Sequence, residues 1–420
     1  MDDVKTHAAR DSGRRKGAEL AGPIPDSRRM FAKFASLSSK IQSKIIEVEA
    51  APNSGKTLRL FPTSEAARYL GISENHLRTI TREREDLPTG SVVGGNNRRA
   101  FTLAEINAIR RGLYAQTGDR DYLPRREGGE KLQVISIANF KGGAAKTTTT
   151  AHLAQYLALR GYRVLAVDLD SQGSLTSLFG IQPDRDLGGA DTLYPLFRDE
   201  TKTLEGIARP TYWDGLDLVP ANLELYQAEY EVPVRRLREG SWHFWRVLDD
   251  ALATVADRYD VVVCDCPPSL GYLSMNGVMA ATSIIVPVPP AMIDFSSTGC
   301  FFRMMSEMME VIGGSEGETK SFDFVRILTS RFDTTDQNHK QVARWMALTY
   351  GEWLMENRMI LTTALDAAGT RKATYYEAGH SSGSRVTYLR GLDSFDAVNQ
   401  EIEDLILGVW GRQKSQREAI

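Results

Sequence analysis

Leu132-Gln133-Val134-Ile135-Ser136-Ile137-Ala138-Asn139-Phe140-Lys141-Gly142-Gly143-Ala144-Ala145-Lys146-Thr147-Thr148 is the stretch on which the fold of this 420-residue chain turns. Its first seven residues alternate into an apolar run, the mark of a buried strand. A glycine pair, a lysine and two hydroxyl residues follow, and then a helical pattern. A glycine-rich turn between a buried strand and a helix suits phosphate, because the backbone can wrap until successive N–H groups face the oxygens. A helix beginning near Lys146 adds the partial positive charge of its N-terminus. Lys141, Gly142, Gly143, Ala144, Ala145, Lys146, Thr147 and Thr148 are therefore the candidate ATP contacts. Lys146 is placed to reach the β- and γ-phosphates, and Thr147 to give its hydroxyl to Mg²⁺. The alternative, a glycine turn with a chance lysine, does not explain why strand, loop, Lys-Thr and helix occur in this order.

Two further stretches end in acids. Val164-Leu165-Ala166-Val167-Asp168-Leu169-Asp170 reads as one strand, and Tyr259-Asp260-Val261-Val262-Val263-Cys264-Asp265 as another. In a doubly wound sheet ligands sit at the carboxyl ends of the strands, so these acids should converge on the loop after Phe140. Asp265 is the expected ligand of a Mg²⁺-bound water. Asp170 is expected beside the metal, orienting the attacking water, with Asp168 behind it. Helix capping is the alternative role for these aspartates. Strand-like runs recur at Leu216–Val219, Ser283–Val288 and Val325–Leu328, with helical patterns between. That alternation predicts an α/β fold with a doubly wound, mostly parallel sheet. Val398, Ile402, Leu405 and Ile406 have helical spacing and predict a packed last helix over Ala397–Trp410.

Composition sets the outer bounds. At 42% apolar and 25% charged residues the chain is of ordinary globular type, long enough for two or three domains. No run of 18 apolar residues suggests a membrane span, and the charged start does not resemble a secretory leader. Three cysteines cannot build a disulfide framework, which suits a reducing cytosol. Cys264 and Cys266 have no second cysteine or histidine pair at ligand spacing and read as buried thiols. The net charge of −3 divides unevenly: 23 basic against 17 acidic residues up to 130 give +6, leaving −9 for the remainder. A basic front portion attracts phosphate backbones, although solvated surface charge accounts for it equally well.

The front portion is expected to form a charged arm, 1–45, able to gain a helix near Met30–Ile46, followed by a small helical domain, 46–118. A Gly/Arg/Asp-rich connection at 119–130 then leads to the ATPase domain, 131–413. Within the small domain, Pro62 to Arg78 reads as helix, turn, helix. Ala66, Ala67, Leu70, Ile72 and Leu77 form its core, Gly71 allows the turn, and Ser73 caps the second helix. That helix offers Asn75, His76, Arg78 and Arg82 to base edges and phosphates in a major groove. Gly94-Gly95-Asn96-Asn97-Arg98-Arg99 makes a basic hairpin tip, and another helix starts after Phe101. The whole resembles the winged helix-turn-helix of MerR-type regulators. A three-helix packing module without DNA contacts is the alternative.

Lys141 stands directly before the glycine pair, giving K-G-G-x-x-K-T. That pattern resembles the deviant Walker A box of the ParA/MinD family of P-loop ATPases. Asp168-Leu169-Asp170-Ser171-Gln172-Gly173 is similar to the family's D-x-D-P-Q-G, with Ser171 for proline, and Asp265-Cys266-Pro267-Pro268-Ser269-Leu270-Gly271 to its Walker B turn. Ala145 stands where the family usually has glycine. The resemblance covers about 132–400. It implies a homodimer in which Lys141 crosses to the partner's phosphates, the cation offsetting repulsion between two triphosphates. It also implies non-specific DNA binding by the ATP form, with Lys340, Arg371 and Lys372 as the matching basic positions and Thr335 where an arginine is usual. A ParB-type centromere-binding partner would stimulate hydrolysis. The fusion to a helix-turn-helix is similar to the larger partition proteins of plasmids and secondary chromosomes, which repress their own operon. An iron-protein branch would need a cysteine pair for a cluster, and a membrane-binding branch a basic terminal helix; Glu401, Glu403 and Asp404 give the last helix the opposite charge. The alternative function is a nucleotide-sensing transcriptional repressor with little ATPase activity.

Overall fold

In a computed structural model of the chain, residues 27–49, 56–94, 98–316, 320–363, 372–379 and 384–412 are described. The chain divides into a unit ending at Gly55 and a unit Lys56–Ile420. Of the first, the helix Ser27–Glu49 is described, bracketing the expected Met30–Ile46. The remainder of the charged arm, 1–26, lies outside the described residues.

The second unit begins with a three-stranded antiparallel sheet in the order β1 (Phe61–Pro62), β3 (Arg98–Phe101), β2 (Ser91–Val93). Two helices, Thr63–Leu70 and Glu74–Glu83, lie between β1 and β2. They are joined through Gly71, whose φ of 64° needs a residue without a Cβ. Ser73 caps the second helix by accepting the His76 N–H at 3.2 Å. Ala66, Ala67, Leu70, Ile72 and Leu77 are all buried. After β3, Thr102 and Glu105 form a reciprocal capping box that starts the helix Leu103–Thr117.

The large sheet has seven strands in the order β10 (Phe324–Thr329), β9 (Ser283–Val288), β4 (Gln133–Ile137), β8 (Val261–Asp265), β5 (Val164–Asp168), β7 (Leu216–Val219), β6 (Arg209–Pro210). All pairings are parallel except that of the short edge strand β6 with β7. β6 was not foreseen, since two residues carry no alternation to read. The central strands are buried throughout and sort their side chains by period two. Ile135, Ile137, Val164, Ala166, Val261 and Val263 face one core, while Val134, Leu165, Val167, Val262 and Cys264 face the other.

The first of these cores also holds the helices Lys146–Arg160 and Arg385–Val409 and continues into Phe61, Leu70, Leu77, Phe101 and Ile106 of the small sheet region. Arg110 spans this join. Its buried guanidinium donates to the carbonyls of Tyr69 and Leu159, in the small region and at the end of the helix after the glycine loop. The 119–130 connection is pinned beside the start of β8 and beyond the end of the last helix. The Arg126 N–H donates to Asp260 Oδ1 at 3.1 Å, and Arg412 Nη1 to the Pro124 carbonyl at 2.8 Å. The expected last helix is longer at its start, running Arg385–Val409.

Candidate nucleotide site

The central register brings the candidate residues together. Ile137 is the Cα partner of Asp265, and Asp265 of Asp168, so the ends of β4, β8 and β5 form one row. The glycine loop leaves β4 from that row. Asn139 holds its start, accepting the Lys141 N–H at 3.1 Å while its amide donates to the Pro287 carbonyl at 2.8 Å. Gly143 and Ala145 both take left-handed backbone, with φ of 77° and 70°. For alanine this costs about 1–2 kcal/mol. Ala145 is the N-cap of the helix Lys146–Arg160.

Within this frame Thr147 donates its hydroxyl to Asp265 Oδ2 at 2.6 Å, and Thr150 approaches Oδ1 at 3.4 Å. Asp265 is fully buried, and burial first, then the nearby Asp168 carboxylate, pushes its pKa well above the usual carboxyl range. Lys146 is also buried and its ammonium donates to the Lys141 carbonyl at 2.9 Å. Burial lowers its pKa, opposed by the charge of Asp265. A hydroxyl and a carboxylate in contact, with an ammonium beside them at a helix N-terminus, match the donor set that Mg²⁺ on a polyphosphate requires. These side chains would hold the metal and phosphates, and the bound metal would polarise the transferring phosphoryl group.

The two remaining aspartates differ in role. Asp168 is fully buried and accepts from Thr176 N and Oγ1, at 2.9 and 2.7 Å, and from the Asp170 N–H at 3.1 Å. Burial pushes its carboxyl up to about 7. It anchors the turn and the helix Ser174–Leu178, so the capping alternative describes its contacts. Asp170 is half-buried, with Oδ1 accepting the Gln172 N–H at 2.9 Å, and its charge acts on both Lys146 and Asp265. The ammonium of Lys141 lies 3.1 Å from Asp294 Oδ1. Asp294 was not anticipated, although it follows β9 at the same edge of the sheet as the other acids and could have been read from that position.

The other basic candidates lie elsewhere. Arg78, Arg82, Arg98 and Arg99 line a groove of about 620 Å³ between the helix Glu74–Glu83 and β3; Asn75 and His76 are exposed but are not among its lining residues. Arg78 is paired with Glu74 at 2.9 Å, and Arg99 Nη1 donates to the Thr89 carbonyl at 2.8 Å. Gly95, Asn96 and Asn97 of the hairpin tip lie outside the described residues. So does Arg371. Lys340 is half-buried in the first turn of the helix Gln337–Tyr350, and Thr335 bonds to Asp333. Lys372 is exposed, and its carbonyl accepts from Lys56 Nζ at 2.7 Å. Cys264 and Cys266 are buried thiols at the end of β8. Among the described residues no helix is long and apolar enough to cross a membrane.

This fold and this cluster define a P-loop nucleoside triphosphatase. The AAA domain family matches residues 132–312. Putative replication protein A of Rhizobium rhizogenes is 43% identical over 381 residues, covering 90% of this chain and 93% of that protein. Protein SopA of Escherichia coli (strain K12) is 30% identical over 372 residues, 85% of this chain and 91% of that protein. The crystal structure of cobyrinic acid a,c-diamide synthase from Mycobacterium smegmatis, with bound ATP analog and magnesium, superposes with a TM-score of 0.51 at 27% identity, over 67% of this chain and 98% of that one. The chain belongs to the ParA-like family of partition ATPases.

Proposed function

We propose that this chain is a deviant Walker A ATP hydrolase of plasmid or secondary-chromosome partition, of the RepA type that serves RepABC replicons. Two copies close on two Mg·ATP, each Lys141 reaching the other's phosphates. Lys146 and Thr147 hold the triphosphate and metal, Asp265 orders the metal's water, and Asp170 orients the attacking water. The paired form binds DNA non-specifically through Lys340, Arg371 and Lys372, and a ParB-type partner triggers hydrolysis and release. The region 46–118, joined through 119–130 to the ATPase domain 131–413, acts as a winged helix-turn-helix that represses the protein's own operon in a cytoplasmic, nucleoid-associated setting. Asn75 and His76 serve base edges, and Arg78, Arg82, Arg98 and Arg99 the phosphates.

The observation that carries this reading is the Thr147–Asp265 contact of 2.6 Å beside the buried Lys146, at the carboxyl ends of β4 and β8. Steady-state ATPase with and without DNA and the partner tests it. Lys146→Ala should abolish ATP binding, whereas Lys141→Ala should spare binding and lose hydrolysis; unchanged turnover in the latter defeats the trans role. A second reading, a nucleotide-sensing repressor that scarcely hydrolyses ATP, draws on the left-handed Ala145, which stiffens the loop. Absence of stimulation by DNA and partner together would favour it.

A further inference from the structure

The backbone of Lys141 is gripped from both sides. Its N–H donates to Asn139 Oδ1 at 3.1 Å, and its carbonyl accepts the Lys146 ammonium at 2.9 Å. Only the four-carbon stem is left to move the charge. That charge rests 3.1 Å from Asp294 Oδ1, in an ion pair whose side chains keep 32% and 15% of their exposure. Asp294 occupies the first turn of the helix Met292–Glu316, which Phe301 holds against Phe140 with ring centroids 4.7 Å apart. Just before Asp294, Met292 and Ile293 are 55% and 70% exposed. Two large apolar side chains in water beside a half-open ion pair mark a face suited to being covered.

We infer that Asp294 is a positioning residue that parks the Lys141 ammonium within its own chain, so that pairing of two chains must first open the Lys141–Asp294 contact. This rests on the trans role of Lys141 proposed above. A triphosphate carries more negative charge than one carboxylate, and covering the face removes the water that screens the exchange, so ATP in a second copy draws the ammonium away. Without nucleotide the carboxylate retains it. The ion pair thereby ties pairing to nucleotide occupancy of the second copy.

The test is sedimentation velocity of the full chain with Mg²⁺ and the non-hydrolysable adenylyl imidodiphosphate, over a range of protein concentrations. Asp294→Asn should lower the concentration of half-pairing by about three- to tenfold, the range expected of partly exposed ion pairs opened in both copies. Asp294→Glu, which keeps the charge, should return it to the wild-type value. Nucleotide affinity measured below the pairing concentration should stay within about twofold in both variants, because the contact is not to the chain's own nucleotide. Should the asparagine variant fail to fold, Asp294→Ser serves with the same expectation. The inference is overturned if wild type pairs and Asp294→Asn pairs at the same concentration, or if Asp294→Glu behaves as the asparagine variant does. A wild-type chain that stays monomeric at saturating nucleotide defeats the pairing reading itself, and this inference with it.

Discussion

Thr147 and Asp265 stand 118 positions apart in the chain, yet the hydroxyl of one donates to the carboxylate of the other at 2.6 Å. The hydroxyl that would ligate the metal and the carboxylate that would order its water are thus already in contact. Asp265→Asn keeps the shape of the side chain and removes its charge. The affinity of the nucleotide complex for Mg²⁺ should fall about 10- to 100-fold, while Mg²⁺-free binding is retained. A magnesium titration with a fluorescent nucleotide measures this. A curve matching wild type would take Asp265 out of the metal site.

Asp168 is pushed up to about 7 and Asp265 is raised with it. From the ordinary 3.8 to about 7 the folded chain therefore keeps a proton that the unfolded chain has lost. The nucleotide-free protein accordingly loses stability as pH rises through that window. His152 works in the opposite sense: burial lowers it from 6.5 to about 4, so its contribution is lost as pH falls below 6.5. Urea midpoints between pH 5 and 7.5 should thus fall less steeply with pH in Asp168→Asn than in wild type. Mg·ATP, which favours ionised carboxylates, should also release protons at pH 6.5, read by calorimetry in two buffers of different ionisation enthalpy. No release would mean both acids are already charged.

Ala145 holds φ 70° where its carbonyl accepts the Thr149 N–H at 2.9 Å and the Thr149 hydroxyl at 2.7 Å. Ala145→Gly removes the strained Cβ but adds freedom to the unfolded chain. The net gain should be about 0.5–1 kcal/mol in chemical denaturation. A variant no more stable than wild type would show that the loop carries alanine without strain.

Glu403, with no exposed side-chain surface, takes Arg160 at 3.1 Å and the hydroxyls of Tyr156 and Tyr162, each at 3.0 Å. It ties the last helix to the helix that follows the glycine loop. Glu403→Ala should cost about 3–5 kcal/mol, because it leaves a nearly buried guanidinium without its counter-ion. Equilibrium unfolding measures it. A loss below about 1 kcal/mol would place Arg160 in water.

Much of the site was legible because it is local. The strand before Asn139, the glycines, Lys146 and Thr147 are contiguous, and the acids of β5 and β8 end their strands in a sheet whose carboxyl edge is a known place for ligands. The helix pair around Gly71 was legible for the same reason, since its turn, cap and core all lie between Ala66 and Leu77, inside the stretch Pro62 to Arg78. Contacts that join distant segments were not legible. Asp294 meets Lys141 because β9 lies next to β4, an adjacency that sequence order does not reveal. Arg110 reads on an amphipathic helix as one more surface arginine, and only packing buries it between two carbonyl groups.

By itself the order of residues determined that there is a parallel sheet, a phosphate loop leaving one of its strands, and a family to which that loop belongs, because backbone wrapping and period-two burial are written over a few consecutive positions. The tertiary structure alone decided which carboxylate touches which hydroxyl, that Asp168 anchors a turn, and that Lys141 rests on Asp294. The first and last of these depend on strand order and register, which bring together side chains more than a hundred residues apart at separations of about 3 Å, where hydrogen bonds and ion pairs form; the second depends on how the chain after β5 folds back onto Asp168.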